Sequence, residues 1–327
     1  MGKLPFELIQ REILIKREAE TDLNLGCYPD KRTTEELADY GIINLDKPKG
    51  PTSHQVSDFV QKILHIRKSG HSGTLDPAVT GILPVAIGRA TRIVEVLLKA
   101  GKEYVGVMHL HKDIDEKLIR KVCNEFIGKI IQKPPLRSSV KRVEREREIY
   151  YLEIMEIDGK DVLFKAGTQA GTYIRKLCHD IGEKLKIGAH MAELRRTKVG
   201  PFLEDTKVTL QDLTDAYHYW KSENNEKLLR KCIQPIENAV KHIPKIWVLD
   251  SAVNSLTHGM DLKIPGIVKL ESGIEPENTV AVMTLKDELI GIGIAKLSSE
   301  IIMKEEKGIA VKIHKVFMLS DFYKQKS

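Results

Sequence analysis

The chain has 327 residues, 42% of them hydrophobic, and a formal net charge of +6, enough length for two domains with cores of their own. Its four cysteines, Cys27, Cys123, Cys178 and Cys232, stand too far apart for a local CxxC or zinc-ligand pattern, and neither a secretory h-region nor an apolar run of membrane-spanning length is present. These features exclude a disulfide-stapled secreted fold and a membrane partner and point to a cytoplasmic or nuclear protein, while the excess positive charge, which lies wholly before Lys245, points to a polyanionic partner for the first part.

In chain order, residues 1–36 are polar and irregular, with one amphipathic helical segment and a turn-rich GCYPDKRTT, and are expected to form an extension. A main domain, residues 37–244, begins at YGIINLDKPKG. There Ile42, Ile43 and Leu45 predict a strand, DKPKGP a turn, and TSHQVSDFVQKIL a helix with a Thr or Ser N-cap and an apolar stripe at Val56, Phe59, Val60 and Ile63. The loop HSGTLDPAVTGILP, residues 71–84, follows and sets one aspartate, Asp76, among small and apolar neighbours. ILPVAIGRATRIVEVLLKA then passes from a buried run into a helix, and KEYVGVMHLH returns as a strand.

Next, DEKLIRKVCNEFIG predicts a helix capped by Asp115, and QKPPLRSSVKRVERERE a long loop whose residues 133–147 carry six basic side chains against two acidic ones. YYLEIMEI and VLFKAGTQA, joined by DGKD, alternate with a period of two and predict a hairpin. GTYIRKLCHDIGEKL predicts a helix with an apolar face of Ile174, Leu177, Cys178, Ile181 and Leu185, and KSENNEKLLRKCIQPIENAVKHIP a polar helical stretch ending at a composition break near Pro244. Residues 245–324 open with a short helix, DSAVNSLTHG, capped by Asp250 and closed by Gly259, and continue as short, closely turned strands of the kind that build a small β-barrel.

No dinucleotide loop, phosphate-binding loop, zinc-deaminase pattern or nucleophile elbow occurs in these elements. The residues that stand out are four. Asp76 reads either as a turn aspartate ahead of a proline or as a carboxylate buried against Leu75 and Leu83, which would need a cation to stay ionised. Arg175, on an otherwise apolar helix face, is either a snorkelling arginine or that cation. Tyr104 is a half-buried sheet tyrosine or an active-site ring, and His71 a loop histidine with one local hydrogen bond unless it belongs to the same site.

Taken together, GHSGTLDPAVTGILPVAIGRATR resembles the signature loop of the TruB-type pseudouridine synthases, INLDKPKGPTSH the motif that precedes it, and KEYVG, GTYIRKL and AHMAELRRTKVGPF the later motifs in the family's order. The resemblance runs from about residue 38 to 207. The last 80 or so residues resemble a PUA domain, and QKPPLRSSVKR together with that large PUA domain favours the dyskerin branch in its archaeal form.

The resemblance implies an α+β fold, a mixed-sheet catalytic domain followed by a small C-terminal β-pseudobarrel, with residues 1–36 packing on the latter. It implies isomerisation of uridine to pseudouridine in RNA without metal or cofactor. Expected partners are an H/ACA guide RNA, rRNA and tRNA substrates and the small H/ACA ribonucleoprotein proteins. Carried onto matching positions, Asp76 is the catalytic aspartate, Tyr104 the ring that stacks on the target base and Arg175 the arginine paired with Asp76. His71 occupies the space of the flipped nucleotide and Leu194 lines an apolar pocket. The lysine of the turn, Lys47, which follows Asp46, and Lys141 and Arg142 of the basic loop are expected to hold the RNA.

Such an enzyme must extrude a stacked uridine, break its glycosidic bond and rejoin it through C5, and the motif offers one carboxylate rather than the pair used in ordinary glycoside hydrolysis. Two other readings remain open: an RNA-binding scaffold without catalysis, and a stand-alone enzyme acting on the T-loop of tRNA.

Overall fold

The computed structural model describes residues 2–133 and 143–323, and the chain divides into two compact units. The first comprises the chain up to Leu8 together with Ile43–Ile87 and Thr91–Cys232; the second comprises Ile9–Ile42, Gly88–Ala90 and everything from Ile233.

The first unit is built on one mixed sheet. Its strands lie in the order Gly41–Lys47, Thr80–Ile87, Ala189–Val199, Lys102–Leu110, Asp161–Thr168, Arg145–Asp158, Gly128–Gln132, with the short strand Ser69–His71 added against Thr80–Ile87. Thr80–Ile87 runs parallel to Ala189–Val199, and the strands from Ala189–Val199 to Gly128–Gln132 pair antiparallel. The helices Glu116–Asn124 and Ile174–Lys184 bury Ile119, Val122, Ile174, Leu177 and Ile181 in one cluster with Met108, Leu152 and Phe164 of the sheet. Ser53–Leu64 starts at Thr52, whose hydroxyl accepts from the Gln55 amide while Gln55 reaches back to the Thr52 amide, so the first turn satisfies its own free donors.

In the second unit a seven-stranded sheet runs Ile13–Ile15, Ile267–Glu271, Lys245–Val248, Thr279–Met283, Leu289–Ala295, Ile309–Val316, Leu262–Lys263. Only the central Lys245–Val248 and Thr279–Met283 pair is parallel among the described pairings. A strand from the N-terminal region, Ile13–Ile15, thus forms one edge, with Leu14 opposite Leu270.

Several expectations are corrected. The amphipathic segment near the N-terminus is a four-residue helix, Pro5–Leu8, followed by the strand Ile13–Ile15, because its apolar residues find a sheet edge to join. The basic loop is shorter than expected: Arg145–Asp158 is a single strand whose first residues pair with Gly128–Gln132, so Arg145 and Arg147 belong to a sheet. Residues 134–142 lie outside the described residues. Phe59 is exposed rather than in the apolar stripe, with the Lys62 ammonium 5.9 Å from its ring centre. The polar stretch before Pro244 breaks into the short turns Leu229–Cys232 and Ile236–Val240, since Pro235 cannot donate to a continuing helix. Asp250 is the first helical residue rather than the cap, and its carboxylate accepts from the Thr21 hydroxyl and the Asp22 amide.

Candidate active site

The loop after Ser69–His71 is held from several sides. Ser53, fully buried at the start of its helix, accepts from the Leu75 amide (2.8 Å) and donates to the Leu75 carbonyl (3.3 Å). The Gly50 amide donates to Pro77 O (2.8 Å), the Val79 amide closes a turn on Asp76 O (3.0 Å), and the Ser72 amide reaches Pro84 O (3.0 Å). Leu75 and Val79 anchor the loop in the core, so Asp76 between them is presented on a fixed backbone.

Across the sheet, Ile174–Lys184 begins next to Tyr173, whose amide donates to Oε1 of the buried Gln132 (2.9 Å) while Gln132 Nε2 donates to the Tyr173 carbonyl (3.2 Å). This double bond fixes the first turn, from which the Arg175 guanidinium reaches the Asp76 carboxylate and donates to Oδ2. Two residues 99 apart in the chain therefore meet as an ion pair. Both side chains are about half exposed, Asp76 at 49%, so the carboxylate is not sealed against Leu75 and Leu83 as expected from its neighbours; only those leucines are buried.

Tyr104 lies in the core cluster with Leu75, Val79 and Ile174, and Leu194 packs against the same cluster opposite Gly106. A Cβ on Gly106 would crowd the Leu194 side chain, which is why the strand carries glycine there. The strand Ala189–Val199 is bulged against Lys102–Leu110: Glu103 faces Lys198 and Tyr104 faces Arg196, leaving Thr197 unpaired in the ladder. Arg196 and Tyr104 thus face each other directly on neighbouring strands.

His71 is half-buried, with its ring edge-on to His54 (centroids 4.7 Å apart) and Nδ1 accepting from the Gly73 amide at 3.4 Å. Burial, then the neighbouring His54 and Arg196, lower its pKa to about 4, so the ring is neutral at physiological pH.

Lys47 departs from the expected role. Position 46 is an aspartate, bonded by Arg195 through Nη1 (3.0 Å) and Nη2 (2.8 Å), and the Lys47 ammonium is turned inward to the carbonyls of Pro48 (2.9 Å), Pro77 (3.2 Å) and Val79 (2.8 Å). Burial lowers its pKa while the charge of Asp76 acts in the opposite direction. Three carbonyls in reach of three donors make it a brace for the loop rather than a contact for RNA. Lys141 and Arg142 lie outside the described residues.

Sequence reasoning missed Arg196 and Lys102. Both are buried; Lys102 donates to the carbonyls of Leu97, Leu98 and Ala100 at 2.7–3.0 Å at the end of the helix Val94–Lys99, and burial lowers its pKa to about 7. The available signal was alternation: a strand that turns Leu194 inward turns Arg196 inward as well. Among the described residues no group of three or more His, Cys, Asp or Glu is arranged to hold a metal ion, and no helix is long and apolar enough to cross a membrane.

The sequence matches the TruB family pseudouridylate synthase N-terminal domain over residues 61–174 and the tRNA pseudouridylate synthase B C-terminal domain over 175–241. It also matches the PUA domain over 244–317 and the DKCLD domain over 2–57. It is 58% identical over 317 residues to a protein of Pyrococcus abyssi named probable tRNA pseudouridine synthase B, spanning 96% of this chain and 95% of that one. A Methanopyrus kandleri protein of the same name is 52% identical over 97% of this chain and 93% of its own length. Among solved structures, the chain superimposes with a TM-score of 0.95 and 55% identity on a chain from a Cbf5-Nop10-Gar1 complex, covering 99% of each. It also superimposes on a chain from an H/ACA RNP bound to a substrate RNA containing 2′-deoxyuridine, with a TM-score of 0.93, 52% identity and 98% and 99% coverage.

Proposed function

The chain belongs to the TruB family of pseudouridylate synthases, and from that premise we propose that it converts selected uridines of RNA to pseudouridine, with Asp76 as the reacting carboxylate. The observation that carries the assignment of the site is the Asp76–Arg175 ion pair beside Tyr104 and Leu194, assembled from motifs on a loop, two strands and a helix.

The target uridine is flipped out of its stack, at a cost of a few kcal/mol, onto the Tyr104 ring, with Leu194 at the wall of the pocket. His71, neutral and held by the Gly73 amide in the same loop as Asp76, fills the space the base vacates. The Arg175 guanidinium, donating to the Asp76 carboxylate, holds it aimed as the bound RNA displaces water from its exposed side. The carboxylate then attacks the sugar or the base, or removes a sugar proton. In each route the C1′–N1 bond breaks, the base turns, C5 bonds to C1′ and the C5 proton is released.

Similar chains occur in a Cbf5-Nop10-Gar1 complex and in an H/ACA RNP bound to a substrate RNA, which supports guided modification of rRNA with those small proteins as partners. The tRNA names of the sequence relatives support the T-loop uridine as a second substrate. Cytoplasmic residence suits the four free cysteines.

The test is tritium release from RNA labelled at uridine C5, for wild type and Asp76→Asn, each alone and with an H/ACA guide and partner proteins. Release by wild type only, with RNA binding equal in both, is the expected result. Activity without guide assigns a stand-alone enzyme. RNA binding with no release under any condition leaves a scaffold and overturns the reading.

A further inference from the structure

Arg196 is 1% exposed, and its partners among the described residues are all uncharged. Its Nε donates to Ile82 O (2.8 Å) and its Nη2 to Gly73 O (3.2 Å), and Tyr104 lies directly opposite on the neighbouring strand, close enough for its side chain to act electrostatically on the guanidinium. Gly81 pairs with Arg196 on its other side, and a Cβ there would run into the Arg196 backbone. The guanidinium is thus fixed between the signature loop, the strand Thr80–Ile87 and the ring on which the base stacks.

A buried cation without a carboxylate is expensive. Removing a guanidinium from water costs several kcal/mol, and carbonyl dipoles repay only part of it, whereas an apolar side chain of similar volume would fill the place at lower cost. The surrounding charges do not cancel it: Asp76 is paired with Arg175, and Lys47 adds a second buried ammonium close enough to feel the charges of both Asp76 and Arg196. Burial pulls the pKa of Arg196 down, but a guanidinium starts so high that it stays protonated. The site therefore holds more positive than negative charge before RNA arrives, and the excess lies beneath Tyr104.

We propose that Arg196 is the fixed counter-charge for the anionic uracil, a positioning residue that acts through Tyr104 rather than by touching the substrate. This rests on the synthase reading above. Whichever atom Asp76 engages, the electron pair of the C1′–N1 bond leaves with the base, so the detached uracil carries a negative charge until C5 bonds to C1′ and gives up its proton while N1 is protonated. A preorganised cation in a low-dielectric site stabilises that charge without reorganising when it develops. It also keeps the free base stacked while it turns.

The experiment compares Arg196→Gln, which can still donate to Ile82 O or Gly73 O without charge, with Arg196→Lys, which keeps the charge and loses the fork. Single-turnover rates are measured in the complete guided particle on RNA carrying uridine or 5-fluorouridine at the target, read as loss of the N-linked nucleoside after digestion. Fluorine stabilises the departing anion chemically, so a variant that lacks protein stabilisation is rescued by it. We expect Arg196→Gln to lose about 100-fold on uridine, as for other single preorganised donors, and at least fivefold less on 5-fluorouridine. RNA affinity should stay within twofold, and Arg196→Lys should lie within tenfold of wild type.

Equal losses on both nucleosides, a lysine variant no better than glutamine, or a defect confined to RNA affinity would overturn the proposal and leave Arg196 a structural brace. Should Arg196→Gln fail to fold, the wild-type protein decides: a 5-fluorouridine to uridine rate ratio below about tenfold fits an anion already balanced by the protein, and a larger ratio contradicts it. A wild-type particle that is inactive on uridine refutes the synthase reading instead.

Discussion

His71 carries a pH signature that follows from its surroundings. Its folded pKa is depressed to about 4 from the ordinary 6.5, so between those values the unfolded chain binds a proton that the folded chain refuses. The stability this neutral ring contributes is complete above pH 6.5 and is lost as pH falls toward 4. At pH 5 the loss from this group is at most ~2 kcal/mol, with half-burial reducing it. Urea midpoints of wild type and His71→Gln at pH 7.5 and pH 5 should therefore converge at the lower pH; parallel behaviour would contradict the assignment. Lys47 and Arg195 make the complementary point about single residues. Lys47 faces loop carbonyls and Arg195 faces Asp46, and it is this inward pairing that braces the loop.

At the scale of elements, the site is a row across a sheet. Gly81, Arg196 and Tyr104 lie side by side on three strands, and the bulge at Thr197 adjoins that row. Gly81 has φ +109°, a region that side chains with a Cβ rarely adopt, and faces the Arg196 backbone closely. Gly81→Ala should cost about 1–3 kcal/mol from backbone strain alone, and more from separating the two parallel strands. It should lower single-turnover activity at least tenfold while Asp76 and Arg175 are intact. Thermal melting and rate measurements on the same variant check this, and a stable variant with full activity would show that the row tolerates displacement. The sequence pattern had marked Lys102–Leu110 as a strand and 82–87 as a buried run but had not marked Ala189–Val199, and even a two-residue repeat says which side a residue faces and nothing of which strand lies beside it.

For the whole molecule, the +6 net charge resides in the part of the chain before Lys245, where the catalytic sheet lies. RNA held there releases counterions, so affinity should fall steeply with salt. Engagement of about four phosphates on a single strand gives roughly a 50-fold loss between 50 and 200 mM. Filter binding across that range is the measurement, and a flat profile would place recognition on uncharged contacts. The second unit shows another use of charge. Arg32 and Glu237 form a buried bidentate pair at 2.8 and 2.7 Å, and Leu289 N also donates to Glu237, so this pair organises the interior rather than the surface.

The sequence by itself determined the kind of chemistry, the order of the motifs and most strands and helices, because apolar period, caps and turn residues are local properties and the signature loop is contiguous. It also marked Asp76, Tyr104, Arg175, His71 and Leu194 for attention, although it misjudged the burial of Asp76 and the direction of Lys47. Both errors have one cause: exposure and side-chain direction depend on which distant carbonyls and helices arrive alongside. Tertiary structure alone decided that Arg175 would meet an aspartate 99 residues away, that the N-terminal region would supply a sheet edge, and that Tyr104 would be the residue set opposite Arg196. Those are pairings between segments remote in the chain, fixed by strand register and core packing, and no local pattern encodes them.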